Sequence, residues 1–99
     1  MALKIEFTEF AENDFSKLDG SLQRLVDKQL DKLEQNPEAG KTLGNKMGLD
    51  LTGYRALYFL KKGYRLVYKW LPNRQVLEIW GIGRRDKEDV YRMLAERAF

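Results

Sequence analysis

Leu3, Ile5 and Phe7 alternate with Lys4, Glu6 and Thr8, the period-two signature of a strand with one buried face. The period then lengthens. Phe10 or Ala11, Phe15 and Leu18 recur at helical spacing until Asp19-Gly20 interrupts them, and Leu22, Leu25, Val26, Leu30 and Leu33 form a second, longer apolar stripe. The pattern predicts two helices joined by a tight turn. The second should stop at Asn36-Pro37, because the residue before a proline is pushed out of the helical region. From Pro37 to Thr52 the apolar pattern weakens among Gly40, Gly44 and Gly48, and the stretch reads as a long loop.

Patterning returns with a meander. Tyr54 to Leu60 is a predicted strand, Lys61-Lys62-Gly63 a hairpin turn, and Tyr64 to Trp70 a strand of aromatic and β-branched residues. Leu71-Pro72-Asn73-Arg74 turns the chain into Gln75 to Ile82. Asp86 is placed as the N-cap of a last helix, with Asp89 in its first turn and Val90 or Tyr91, Leu94 and Ala98 facing inward. The order β-α-α-β-β-β-α predicts an α+β fold in which an antiparallel-dominated sheet packs against a helical hairpin and a C-terminal helix. Residues 1–99 are expected to form a single domain.

Composition removes whole classes of chemistry. The chain has no cysteine and no histidine, so disulfides, thiolate metal sites and the commonest general base are all absent. No metal or cofactor is expected, and catalysis would fall to Arg, Lys, Tyr or carboxylates. No run approaches the roughly 20 apolar residues of a membrane span, and the first residues alternate rather than form a signal peptide, so a cytoplasmic protein without a membrane partner is expected. A net charge of +3 says little by itself. Residues 1–50 hold seven Lys+Arg against ten Asp+Glu, whereas residues 51–99 hold eleven against five. The basic half also carries interleaved aromatics, a composition suited to tracking a phosphate backbone and stacking bases.

Within that half, three segments carry the candidate chemistry. In Gly63-Tyr64-Arg65-Leu66-Val67-Tyr68, Arg65 shares a strand face with Val67 and Lys69. Gly81-Ile82-Gly83 frees the backbone just before Arg84 and Arg85, which then flank a predicted helix N-terminus, where unpaired N–H groups and the helix dipole favour a phosphate. Tyr91 projects from about the second turn of that helix. Each has a plainer reading: Arg65 paired across the sheet with Glu78, Arg84 solvated, Tyr91 facing the core, and Phe59, Trp70 and Trp80 packing as strand aromatics. Gly81 and Gly83 lack the third glycine of a dinucleotide fingerprint.

Taken in order, these segments resemble the RelE/ParE superfamily of type II toxins, and within it the RelE-type mRNA interferases. The resemblance spans nearly the whole chain: the N-terminal strand and helical hairpin, Asn36-Pro37 with Gly40-Lys41 and Leu43, Leu51-Thr52-Gly53-Tyr54-Arg55, the Gly63 to Tyr68 motif, and Ile82-Gly83-Arg84-Arg85 with Val90-Tyr91. It implies a cytoplasmic toxin neutralised by a cognate antitoxin, acting with the ribosome as a metal-independent endoribonuclease that cleaves mRNA in the A site. The alternative within the superfamily is a ParE-like inhibitor of DNA gyrase with no catalytic activity.

Residue by residue, the resemblance implies that Arg65 is the catalytic arginine after the glycine-tyrosine turn and Arg85 the one ahead of the last helix. Tyr91 falls on the tyrosine that stacks on or helps activate the scissile nucleotide, and Arg55 on the first of two basic residues in the preceding strand. Lys61, Lys62 and Arg84 are expected to contact RNA. The chain departs from the family pattern at Leu57, where the second basic residue would stand, and its hairpin is about one residue longer. Lys61 or Lys62 is left to supply that charge, and the general base stays open. Arginine is a good charge stabiliser and a poor base, while Tyr91 could act as a base only with a lowered pKa.

Overall fold

The computed structural model of the chain describes residues 3–46, 49–61 and 63–84. Strand β1 (Lys4–Phe7) leads into α1 (Glu9–Ser16) and α2 (Gly20–Gln35), followed by β2 (Lys41–Lys46), β3 (Leu49–Phe59), β4 (Tyr64–Leu71) and β5 (Val76–Arg84). The strands form one sheet in the order β1-β5-β4-β3-β2. β1 runs parallel to β5, and the other three pairings are antiparallel. The predicted C-terminal helix, with Asp86 as its cap, lies outside the described residues.

Local chemistry sets the helix limits. Thr8 caps α1, its hydroxyl accepting from Ala11 N–H while donating to the Ile79 carbonyl of β5. Such a cap contributes about 1 kcal/mol, and here it also ties the helix to the sheet. Asp19 caps α2 through Leu22 N–H, and that hydrogen bond, with a second from Ser21, holds its carboxyl below the usual range. At the other end α2 stops where expected, with Asn36 extended at φ −149° ahead of Pro37.

The helices cover one face of the sheet. Val26, Leu30 and Leu33 of α2 and Ala11 of α1 pack with Phe59, Leu66, Tyr68, Leu77, Ile79 and Ile82 into the main core. At the Phe10 or Ala11 choice the structure selects Ala11, which is fully buried, and leaves Phe10 42% exposed. The other face carries a smaller cluster of Leu43, Leu51, Tyr54, Ala56 and Val67, with Tyr58 and Trp80 packed against it.

The stretch expected to be a loop is largely strand. Thr42 pairs with Arg55, Gly44 with Leu51 and Lys46 with Leu49. Periodicity missed β2 because Leu43 is its one apolar residue, so the pairing is carried by backbone rather than by an alternating face. A register shift between Thr42 and Gly44, with Gly44 at φ 61°, accommodates the irregularity. β3 therefore starts at Leu49 rather than Tyr54, and β5 continues through Arg84 rather than ending at Ile82.

Candidate functional site

Arg65 is the first residue to locate, because every reading of the sequence turns on it. In β4 it pairs with Tyr58 of β3 on one side and with Gly83 of β5 on the other. Successive side chains of a strand alternate between faces, so Arg65 lies with Val67 on the face away from the helices, while Leu66 and Tyr68 enter the helix-side core. It is not laid flat in solvent. Arg65 is only 3% exposed and takes part in further interactions.

The cross-sheet pairing of Arg65 with Glu78 is not the register observed. Glu78 stands opposite Lys69, and its carboxylate accepts a hydrogen bond from Trp80 Nε1 at 3.2 Å. An extra residue in β5, between Ile79 opposite Tyr68 and Gly81 opposite Val67, shifts the pairing. This bulge keeps both Ile79 and Ile82 in the helix-side core and turns Trp80 to the other face. There Trp80 stacks on Phe10 at 6.4 Å and meets the Tyr54 ring edge-on at 5.8 Å, with Lys69 Nζ 5.3 Å from the Tyr54 centroid. Phe59 and Trp70 belong to the helix-side packing, as their strand positions suggested.

Arg55 lies elsewhere. It pairs with Tyr68 on the helix side of the sheet, and its Nη1 donates to the carbonyls of Glu38 at 3.1 Å and Gly40 at 2.9 Å. The Tyr68 hydroxyl donates to the Pro37 carbonyl at 2.7 Å and accepts from Gly40 N–H at 2.8 Å. Burial pushes the Tyr68 phenol up, against the opposing effects of the Gly40 N–H and the nearby Arg55. Arg55 and Tyr68 thus close on the turn between α2 and β2. The structure does not bring Arg55 to the face that carries Arg65.

The remaining expected residues divide. Arg84 is exposed at the end of β5, opposite Tyr64, on the helix side of the register rather than beside Arg65. Lys61 is exposed at the hairpin tip, where Leu60 and Lys61 both adopt positive φ and Gly63 N–H returns to the Leu60 carbonyl. Lys62, Arg85 and Tyr91 lie outside the described residues. Among the described residues no group of three carboxylates is placed to hold a metal ion, and no helix is long and apolar enough to cross a membrane.

Comparison with known proteins points to the toxins of type II toxin-antitoxin systems. Residues 5–89 match the family described as ParE toxin of type II toxin-antitoxin system, parDE. The chain is 29% identical to an Escherichia coli protein described as a RelE-like toxin, over 98% of both chains. It is 28% identical to the mRNA interferase toxin RelE of Escherichia coli strain K12, again over 98% of both. The fold superimposes on a double-substitution variant of Escherichia coli toxin RelE in the free state with a TM-score of 0.78 at 25% identity, covering 100% of each chain. A structure of that toxin variant with an antitoxin peptide gives 0.70 at 26% identity, over 94% of each. Likeness in fold alone extends to the RelBE2 toxin-antitoxin complex of Mycobacterium tuberculosis, at 0.73 and 23% identity over 86% of this chain and 100% of the other.

Proposed function

Because the chain belongs to the ParE toxin family of type II toxin–antitoxin systems, we propose that it is the toxin of such a pair, a ribosome-dependent endoribonuclease that cleaves mRNA in the A site. Its likeness over nearly its whole length to proteins named mRNA interferase carries this reading. The partners are a cognate antitoxin, the ribosome and mRNA, and the compartment is the cytoplasm. One domain spanning residues 1–99 performs the function.

No metal or cofactor is assigned to the reaction. The 2′-hydroxyl beside the scissile phosphate attacks phosphorus, its proton passes to a base, and the bond to the 5′-oxygen breaks as that oxygen is protonated. The products are a 2′,3′-cyclic phosphate, which addition of water opens to a 3′-phosphate with a free 2′-hydroxyl, and a 5′-hydroxyl. Arg65 and Arg85 are assigned to the charge that builds on the phosphate, since a guanidinium is cationic throughout and offers a fork of donors. A preorganised donor of this kind contributes on the order of 100- to 1000-fold in rate. Tyr91 is assigned to the scissile nucleotide, and Lys61, Lys62 and Arg84 to contacts along the RNA. Arg55, held on the Glu38 and Gly40 carbonyls, acts on the site only through the order it gives the sheet.

Primer-extension mapping on translating ribosomes tests the reading, with the native chain beside Arg65→Ala, Arg85→Ala and Tyr91→Phe. Cuts inside the A-site codon that fade in the variants are expected. Intact mRNA with the native chain, accompanied by loss of gyrase supercoiling, would replace it with the non-catalytic alternative.

A further inference from the structure

We infer that Tyr58 is the β3 residue of the Arg65 site, where its ring forms a stacking platform for a nucleobase of the bound RNA. The inference rests on the nuclease reading above and adds to it a residue that neither motif nor composition singled out.

The strand register carries the argument. Tyr58 and Arg65 are direct cross-strand partners, which brings the Cβ atoms of such a pair to about 5 Å. Their faces are fixed independently by packing: Tyr58 sits against the cluster of Leu43, Leu51, Tyr54, Ala56 and Val67, the face that Arg65 shares through Val67. On the other flank Arg65 faces Gly83, which contributes no side chain. From the two flanking strands, Tyr58 is therefore the side chain directly across from Arg65.

The same parity removes the expected cations. Arg55 pairs with Tyr68 and holds backbone carbonyls on the helix side. Leu57, at the position where the family pattern has its second basic residue, also packs into the helix-side core. Restoring a lysine at 57 would not place it beside Arg65. From Tyr54 to Tyr58 the β3 residues facing the Arg65 side are Tyr54, Ala56 and Tyr58, with no charge among them.

What those residues offer is an aromatic surface next to a buried cation. Tyr54 is almost fully buried, whereas Tyr58 is partly exposed. Packed against the cluster on that face yet partly exposed, the Tyr58 ring is the aromatic group across from Arg65 on which a base would stack. In this chain the β3 contribution to the site is thus stacking rather than charge. Stacking is a property of the ring rather than of the hydroxyl.

The test is cleavage of mRNA on programmed ribosomes by native protein, Tyr58→Phe, Tyr58→Leu and Tyr58→Ala, with KM and kcat separated and thermal unfolding recorded for each. Stacking predicts Tyr58→Phe within about twofold of native, and KM raised about 10- to 100-fold in Tyr58→Leu and Tyr58→Ala with kcat little changed. Tyr58→Leu keeps the apolar packing and loses the aromatic plane, so the Phe and Leu variants decide the question even if Tyr58→Ala fails to fold. Native KM in Tyr58→Leu overturns the inference, as does a KM in Tyr58→Phe raised as far as in Tyr58→Ala. Either outcome leaves the nuclease reading standing, whereas a native chain that cuts nothing overturns both.

Discussion

Tyr68 and Arg55, cross-strand partners in β4 and β3, grip the same short turn from the sheet: the Tyr68 hydroxyl holds Pro37 and Gly40, and the Arg55 guanidinium holds Glu38 and Gly40. Tyr68 is fully buried, so both polar groups it satisfies lose their partner together in Tyr68→Phe. Stranding buried backbone groups costs about 1–3 kcal/mol. The urea midpoint of Tyr68→Phe is expected to fall accordingly with the slope of the transition unchanged.

Gly40 is chosen for space. A Cβ there would lie 2.6 Å from the Tyr68 hydroxyl oxygen and 2.7 Å from Cε1. Gly40→Ala should destabilise the chain by about 1–3 kcal/mol, the usual range for overpacking. In a Tyr68→Leu background the same substitution should cost much less. A double-mutant cycle that shows full additivity would exclude this contact as the cause.

Much of this arrangement was legible in the sequence, for identifiable reasons. α2 announces itself by Leu22 to Leu33 at helical spacing and by Asn36-Pro37 at its end, and β4 by its dense aromatic and β-branched run; both lie where they were predicted. β2 was not legible because its pairing to β3 is a backbone property that Lys41-Thr42-Leu43-Gly44-Asn45-Lys46 does not encode as alternation. The hairpin tip was hidden for a related reason. Positive φ falls on Leu60 and Lys61, neither of which advertises it as glycine would. Arg65 on the face shared with Val67 followed from counting along β4, but the face of Arg55 did not. Parity across a hairpin depends on its pairing register, and the extra hairpin residue obscured it.

Opposite faces make Arg55 and Arg65 separable by experiment. Arg65→Lys keeps the charge but loses the planar fork, and its kcat on programmed ribosomes is expected to drop about 100- to 1000-fold. Arg55→Met removes two hydrogen bonds to backbone carbonyls, and the loss is expected in stability, about 1–2 kcal/mol, with kcat per folded molecule close to native. An Arg55→Met protein of native stability whose kcat falls as far as that of Arg65→Lys would contradict this division.

Alkali should expose the buried phenols. Burial, first of all, raises the pKa of both Tyr68 and Tyr54, and Glu78 adds to the effect at Tyr54. A phenol whose folded pKa lies above its unfolded value near 10 keeps its proton in the native state after the unfolded chain has lost it. Fewer protons on the unfolded chain means that stability falls as pH rises. The contribution is therefore complete below pH about 10 and declines above it, by up to about 1.4 kcal/mol per pH unit for each such tyrosine, until the folded pKa is passed. Denaturant titrations from pH 8 to 11 should show a flat stability followed by this decline. Tyr54→Phe should reduce the slope by one proton's worth, since phenylalanine has nothing to ionise in either state, and an unchanged slope would mean that the Tyr54 phenol ionises alike folded and unfolded.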